Sequence, residues 1–249
     1  MSVFISIITA TYNSEKFILQ TYQSILEQDC ESWEWLVTDD CSQDSTWKIL
    51  LDISKNDCRV KVKKNIINSG AAISRNKSLE DAQGRFIAFL DSDDIWVKGK
   101  LKAQTEFMLN SECYFSFTAY SLINENGESL DKHIDIDSMA VVSYKDMLLK
   151  KSTLGCSTVI LDREFFGKIQ MPLLRTGQDY ALWLSLLKKT DAYFLKMTLT
   201  KYRIVSNSIS RNKFKKALRQ WQIYREIERI NLFKSLWYFC NYAYRAVSR

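Results

Sequence analysis

Residues 89–96 read FLDSDDIW, and three carboxylates, Asp91, Asp93 and Asp94, fall within four positions directly after the apolar run RFIAFL. Aspartates this close repel one another, and strands disfavour them. A buried strand that ends on such a cluster therefore needs a reason. Two further apolar runs end in polar clusters: VFISII leads to Ala10-Thr11-Tyr12-Asn13, and EWLVT leads to Asp39-Asp40. Ligands of open α/β sheets bind at the carboxyl ends of the strands. If the three runs are neighbouring strands, their ends converge on one rim. Carboxylates gathered there can hold a divalent cation, and hard oxygen ligands suit Mg2+ or Mn2+, which often bridge protein carboxylates to phosphates. The alternative is a solvated loop in which Asp93 or Asp94 caps the next helix.

The elements that position these residues alternate. Apolar, β-branched runs predict strands over 3–11, 34–40 and 85–91, and RVKVKK (59–64) alternates like a more exposed strand. Between them, helical spacing and capping residues predict helices over about 14–28, from Asp44 or Ser45 to about Lys55, over 69–83, and from about Lys98 to Asn110. The order β-α-β-α-β-α-β implies a mostly parallel sheet covered on both faces. After residue 112 the pattern changes. CYFSFTAYSLI with Glu125-Asn126-Gly127 suggests a hairpin, 156–162 and 192–205 read as strands, and 179–189 as a helix. The expected organisation is a nucleotide-binding half (1–111), an acceptor-side half of the same domain (112–211) and a helical tail (212–249).

Apolar residues make up 46% and charged residues 26% of the 249, the balance of a water-soluble globule. Six cysteines form no CxxC pair and His133 is the single histidine, which argues against a zinc site. VFISII lacks a basic flank and is too short for a signal peptide, and no run of about 18 apolar residues suggests a membrane span. The expected compartment is the reducing cytoplasm. The net charge of +6 is uneven: residues 211–249 hold ten Lys/Arg against two Asp/Glu, and the rest of the chain is slightly acidic.

ITATYNSEKFI, LVTDDCSQDST, NSGAAISRN, FLDSDD and TGQDYALWL stand in the order and spacing of family 2 glycosyltransferases. The chain resembles the short bacterial members that build O-antigen, capsule or related surface polysaccharides, over about residues 3–210. The resemblance implies a GT-A fold, which is Rossmann-like, and transfer of one hexose or N-acetylhexosamine from a UDP-sugar to a sugar on undecaprenyl diphosphate, with inversion to a β-linkage. It places the Ala10-Thr11 backbone and Asp39 at the uracil and ribose end, with Asp40 there or buttressing the loop. Arg75 would reach the diphosphate or sugar, against the alternative of a surface helix arginine. Asp91 matches the first Asp of DxD near the ribose and metal, Asp93 the direct ligand of Mn2+ or Mg2+, and Asp94 a donor-sugar contact or a helix cap. Asp179 matches the general base, against the alternative of an N-cap; the family often has Glu-Asp where this chain has Gln178-Asp179. The alternative function is a non-catalytic nucleotide-sugar or glycan-binding module on the same fold.

Softer expectations remain. Tyr202-Arg203 and Ser208-Ile209-Ser210 resemble a segment closing over the donor. Trp96 and Trp183 either stack on a sugar or belong to the core, and His133 is expected in a solvated loop. The QxxRW motif of processive synthases is absent, which implies single addition. Phe214, Leu218, Trp221 and Tyr224 recur at helical spacing among Lys215, Lys216, Arg219 and Arg229, ahead of the dense apolar run from Leu232 to Cys240. Such a basic aromatic tail suits either the anionic surface of the inner membrane or packing on the catalytic domain. No nucleic-acid motif is present, so nucleic acid is not expected as a partner.

Overall fold

The three apolar runs with polar ends become adjacent strands, β1 (Ile5–Thr11), β2 (Trp33–Asp39) and β4 (Phe86–Phe89). The computed structural model describes residues 4–205 and 213–248, so Ser208-Ile209-Ser210 and the side chains of Phe214 and Lys215 lie outside the described residues. β1 pairs in parallel with β2 on one side and β4 on the other, and β3 (Val60–Lys64) closes that edge against β2. Nearly every residue of β1, β2 and β4 is buried, as expected of parallel strands covered on both faces. The edge strand β3 alternates in exposure as its sequence does.

The crossovers carry α1 (Ile18–Leu26), α2 (Thr46–Asn56) and α3 (Ala71–Glu80). α1 buries Ile18, Thr21 and Ile25 at i, i+3, i+7, the spacing of one helix face. α3 buries polar residues instead, among them Ser74, Arg75, Asn76 and Ser78, so the alternative of a surface helix arginine at Arg75 falls away. After the short strand β5 (Ile95–Trp96) and α4 (Lys100–Asn110), the sheet continues through β6 (Phe115–Ile123). β7 (Ser129–Ile134) returns from the Gly127 turn as the expected hairpin. Further on come β8 (Val141–Val142), α5 (Tyr144–Leu148), β9 (Ile160–Asp162), α6 (Arg163–Phe166), α7 (Gln178–Leu187) and β10 (Ala192–Arg203).

One sheet runs through both halves in the order β3-β2-β1-β4-β9-β6-β10-β5, with β7 on β6 and β8 on β10. The strands of the first half and the long β6–β10 pair are parallel, and the short strands β5, β7, β8 and β9 join antiparallel. The strand expected over 156–162 is shorter. Cys156–Thr158 form a 3-10 turn, closed by Thr158 N–H donating to Gly155 O, which frees the Ser157 side chain to turn toward the rim.

The tail forms α8 (Lys213–Gln222), a π turn (Ile223–Ile227) and α9 (Leu232–Ser248). Ile223 and Tyr224 sit in the same apolar core as Phe89, Phe115 and Trp183. Tyr224 Oη donates to Leu148 O at 2.8 Å, and the buried Glu228 pairs with Lys188 at 2.6 Å. The tail therefore packs on the catalytic domain. Its outward face is apolar: Phe233, Trp237 and Tyr244 on α9 are 83%, 64% and 74% exposed, with Leu232 and Leu236 beside them. No helix among the described residues is long and apolar enough to cross a membrane.

Candidate active site

Hydrogen bonds knit the three strand ends into one rim. Ser14 N–H donates to Thr46 Oγ1 at 2.7 Å and Asn13 N–H to Ser42 Oγ at 2.9 Å, joining the loop after β1 to the loop after β2. The Ser14 and Ser92 hydroxyls lie 2.8 Å apart and join the same loop to the DSDD turn. Ala10 and Thr11 stand opposite Thr38 and Asp39, and Thr11 O accepts from Asp40 N–H at 2.8 Å. The buried Thr11 Oγ1 has no partner among the described residues.

Asp39 and Asp40 divide their work. Asp39 is fully buried, accepts from the Ser42 hydroxyl and backbone N–H, and lies 3.8 Å from Lys64 Nζ. Asp40 accepts from Asn65 Nδ2 at 2.7 Å, Ser69 N–H at 2.8 Å and Gly70 N–H at 2.7 Å. It buttresses the loop into α3, where Gly70 holds φ at +92°, a conformation costly to any residue with a Cβ.

The DSDD turn places each carboxylate differently. Asp91 Oδ1 pairs with Arg75 Nη2, and its backbone N–H donates to Ser157 Oγ at 3.0 Å. Asp94 caps nothing; α4 begins at Lys100 after Gly99. It is buried and accepts from Ser157 Oγ at 2.6 Å and from Arg203 N–H at 2.9 Å. Burial first, then the charges of Asp93 and Asp91, push its carboxyl well above the usual range. The Asp93 carboxylate accepts no hydrogen bond from another described side chain. Burial, with Asp91 adding repulsion, raises it to about 6.

Arg75 faces this acidic turn from α3. Burial works against its charge, but the Asp91 and Asp179 carboxylates around it hold the guanidinium above its ordinary value. Its Nε is buried without a partner among the described residues. Asp179 arrives from the other half of the sheet, in the first turn of α7. It is not the cap: that position is Gly177, at φ +71°. Burial pushes the Asp179 carboxyl up, its helix-end N–H groups and Arg75 pull it down, and burial prevails. Asp179 lies close enough to Arg75 and Asp91 for their charges to act on its carboxyl.

The residues present fit a divalent cation. Asp93 is a carboxylate short of positive compensation, and Asp91 Oδ2 accepts no hydrogen bond among the described residues. No group of three metal-capable side chains stands together among them. That suits a cation held through one or two carboxylates, with phosphate oxygens and water completing the shell.

Several expected contacts are not brought here. Trp96 and Trp183 are buried core residues whose indole N–H groups donate to Ser157 O and Leu154 O, so neither stacks on a sugar. His133 is exposed on β7. Arg203 ends β10 as a clamp: it donates to Asp93 O at 2.7 Å, Glu125 O at 2.9 Å and Gln20 Oε1 at 2.7 Å. Sequence reasoning missed Ser157, which ties Asp94 to the Asp91 backbone. A lone serine in an apolar segment carries no signal.

A Rossmann-like half whose rim gathers acids around one buried arginine, continued by a second half that adds a carboxylate from a separate helix, is the architecture of a GT-A glycosyltransferase. The chain belongs to Glycosyl transferase family 2, which it matches over residues 6–169. It is 50% identical over 98% of its length, and 96% of the relative's, to "Putative teichuronic acid biosynthesis glycosyltransferase TuaG" of Bacillus subtilis (strain 168). It is 39% identical, over 96% of this chain and 91% of the other, to the UDP-Glc:alpha-D-GlcNAc-diphosphoundecaprenol beta-1,3-glucosyltransferase WfgD of Escherichia coli. The crystal structure of S. aureus TarS 1-349 in complex with UDP-GlcNAc shares the fold, with a TM-score of 0.73 at 23% identity over 89% of this chain and 64% of that one. The chain is thus a transferase, and the reading of a merely binding module is set aside.

Proposed function

We propose that this enzyme is a metal-dependent, inverting transferase. It moves one hexose or N-acetylhexosamine from a UDP-sugar to a sugar carried on undecaprenyl diphosphate, forming a β-linkage in surface-polysaccharide assembly of the O-antigen or capsule type. The observation that carries the reading is the meeting of Asp93, Asp91 and Arg75 with Asp179 on one rim. The likeness to WfgD supports the donor and acceptor classes.

In this reading Ala10, Thr11 and Asp39 receive the nucleoside, with Asp39 exchanging its Ser42 hydroxyl partner for the base N3–H. Arg75 and Asp91 orient the diphosphate and ribose. Asp93, beside Asp91, would hold Mn2+ or Mg2+, which when bound supplies Lewis-acid stabilisation of charge on the departing diphosphate. Asp179 takes the proton of the acceptor hydroxyl, and that oxygen forms the new bond to the donor C1. The C1–O bond to the diphosphate breaks on the opposite face and its electron pair leaves with UDP. One displacement inverts the centre. The raised carboxyl of Asp179 suits this role, since a base is most effective when its pKa approaches the working pH.

The tail places the enzyme at its acceptor. Phe233, Trp237 and Tyr244 form an outward stripe on α9, and residues 229–249 carry Arg229, Lys234, Arg245 and Arg249 with no Asp or Glu. An aromatic face with a basic surround suits the headgroup region of an anionic bilayer. The test of the function is UDP release and product formation from a panel of UDP-sugars with Mn2+. Transfer should be lost in Asp179→Asn while UDP binding is kept; full turnover in that variant would end the proposal.

A further inference from the structure

The loop entering α7 lies beneath α8. A Cβ at Gly177 would stand 3.3 Å from both Arg219 Cγ and Ile223 Cδ1. Arg219 Nε donates to Thr176 Oγ1 at 3.3 Å, and its Nη1 to Gln222 Oε1 at 2.6 Å. Lys216 is one turn earlier on α8, at the i, i+3 spacing that shares a helix face. Its residue surface is exposed, yet burial of the amine lowers it from its ordinary value, while the nearby Asp179 carboxylate favours its charge. On the same loop Arg175 is exposed and donates to Asn68 Oδ1 at 3.0 Å, reaching across to the residues before α3. Its Nη1 lies 3.2 Å from where a Cβ on Gly70 would stand.

Among the described residues, none of Arg175, Lys216 and Arg219 forms an ion pair with a carboxylate. Three long cationic side chains thus stand around the entrance to the helix turn that carries Asp179. The donor diphosphate does not account for them, because Arg75 and the DxD turn face it from α3 and β4. A sugar whose hydroxyl is held at Asp179 presents its anomeric substituent one ring-width away, within reach of side chains on the neighbouring helix. Lysine and arginine are the side chains that bind phosphate oxygens, as a point charge and as a fork.

The geometry points to an acceptor-diphosphate subsite formed by Lys216 of the tail with Arg175 and Arg219. Through it the tail selects sugars linked to a diphosphate over uncharged glycosides of the same sugar. This rests on Asp179 being the base that meets the acceptor. Lys216 is the residue to test, since its side chain makes no hydrogen bond or ion pair among the described residues; Arg219 touches Thr176 and Gly177, and its loss would disturb both.

The experiment uses the full chain and two readouts. With UDP and Mn2+ saturating the donor site, hexyl diphosphate is titrated calorimetrically into wild type, Lys216→Ala and Lys216→Arg. The expected result is binding weakened about tenfold in Lys216→Ala and largely kept in Lys216→Arg, the size of one charge-assisted hydrogen bond. No binding by wild type, or equal binding by all three proteins, overturns the subsite whatever the fate of the transferase reading. In the second readout, transfer is compared between a diphosphate-linked acceptor sugar and its neutral alkyl glycoside. Lys216→Ala should raise KM for the first alone and leave acceptor-independent UDP release unchanged. An equal rise for both acceptors would mean a structural role and also overturns it. Diphosphate binding that depends on Lys216, without transfer to either acceptor, would leave the subsite standing and count against the proposed reaction.

Discussion

Arg75 on α3 and Asp91 after β4 form an ion pair, with the arginine side chain 7% and the aspartate side chain 25% exposed. The pair joins the helix crossover to the DxD turn and leaves the buried Arg75 Nε without a partner. An arginine so placed can hold one carboxylate and still offer a donor to an incoming diphosphate.

Replacing Arg75 by Ala leaves Asp91 beside Asp93 without its ion-pair partner. Breaking a buried pair from one side costs about 3–5 kcal/mol, and Asp91's partial exposure puts this case at the low end. The expected outcome is a lower melting midpoint and a loss of kcat/KM of about 10² or more, consistent with loss of a charge-stabilising donor. Arg75→Lys should not restore the rate, because a single ammonium cannot serve Asp91 and the diphosphate as a fork does. Thermal unfolding and steady-state kinetics check both.

The base assignment has a pH signature. The Asp179 carboxyl is raised by burial, so the acidic limb of the kcat/KM profile should lie above the ordinary range of a solvated aspartate. Rate should rise with pH as the carboxylate forms. The residual activity of Asp179→Asn should lack that limb. A wild-type limb in the ordinary aspartate range would contradict the assignment.

Lys100 is fully buried against Gln104 Oε1 at 2.6 Å and Thr158 O at 3.3 Å, with no carboxylate partner among the described residues, and burial lowers it to about 7. Its ordinary value is 10.5, so between about 7 and 10.5 the unfolded chain holds more protons than the folded one. Stability from this group therefore rises with pH across that window and is lost as pH falls toward 7. Wild type should gain stability relative to Lys100→Met on going from pH 7 to pH 10, measured by urea midpoints at each pH. A constant difference would mean that the amine titrates alike in both states.

The outward stripe of α9 predicts a separable phenotype. Changing Phe233, Trp237 and Tyr244 together to Ser should reduce co-sedimentation with anionic vesicles by about tenfold or more, since each buried aromatic contributes on the order of 1.5–3 kcal/mol. UDP release with a water-soluble acceptor should stay near wild type. Unchanged vesicle binding would remove the bilayer from the account of the tail.

The first half of the fold was legible because periodicity and strand-end polarity report the same thing. A strand buried on both faces reads as an unbroken apolar run, and VFISII, EWLVT and RFIAFL all do. Asp93 and Asp179 were singled out only through motif spacing, since each could also have served a helix end. The helix at α3 was legible but not what it buries: Arg75 and Asn76 are inside because Asp91 and Met171 meet them there, a long-range fact that helical periodicity does not encode. Ser157 and the Arg203 clamp depend on residues far apart in sequence, and β9 was overestimated because an apolar segment does not announce a 3-10 turn. Bilayer contact and packing could coexist for the tail; the structure shows the packing, through Ile223 and Tyr224, and leaves the aromatic face of α9 outward.

Because Ile223 and Tyr224 are set in the same apolar mass as Phe89 and Trp183, the C-terminal segment is a keystone as well as a candidate address label. Cutting the chain before α8 would report a collapsed fold rather than a lost destination, so changes confined to outward side chains are the cleaner probe. It also means that Asp179 and the α9 stripe belong to one packed body. A surface that the stripe rested upon would meet the proposed base at a height and tilt set by that packing.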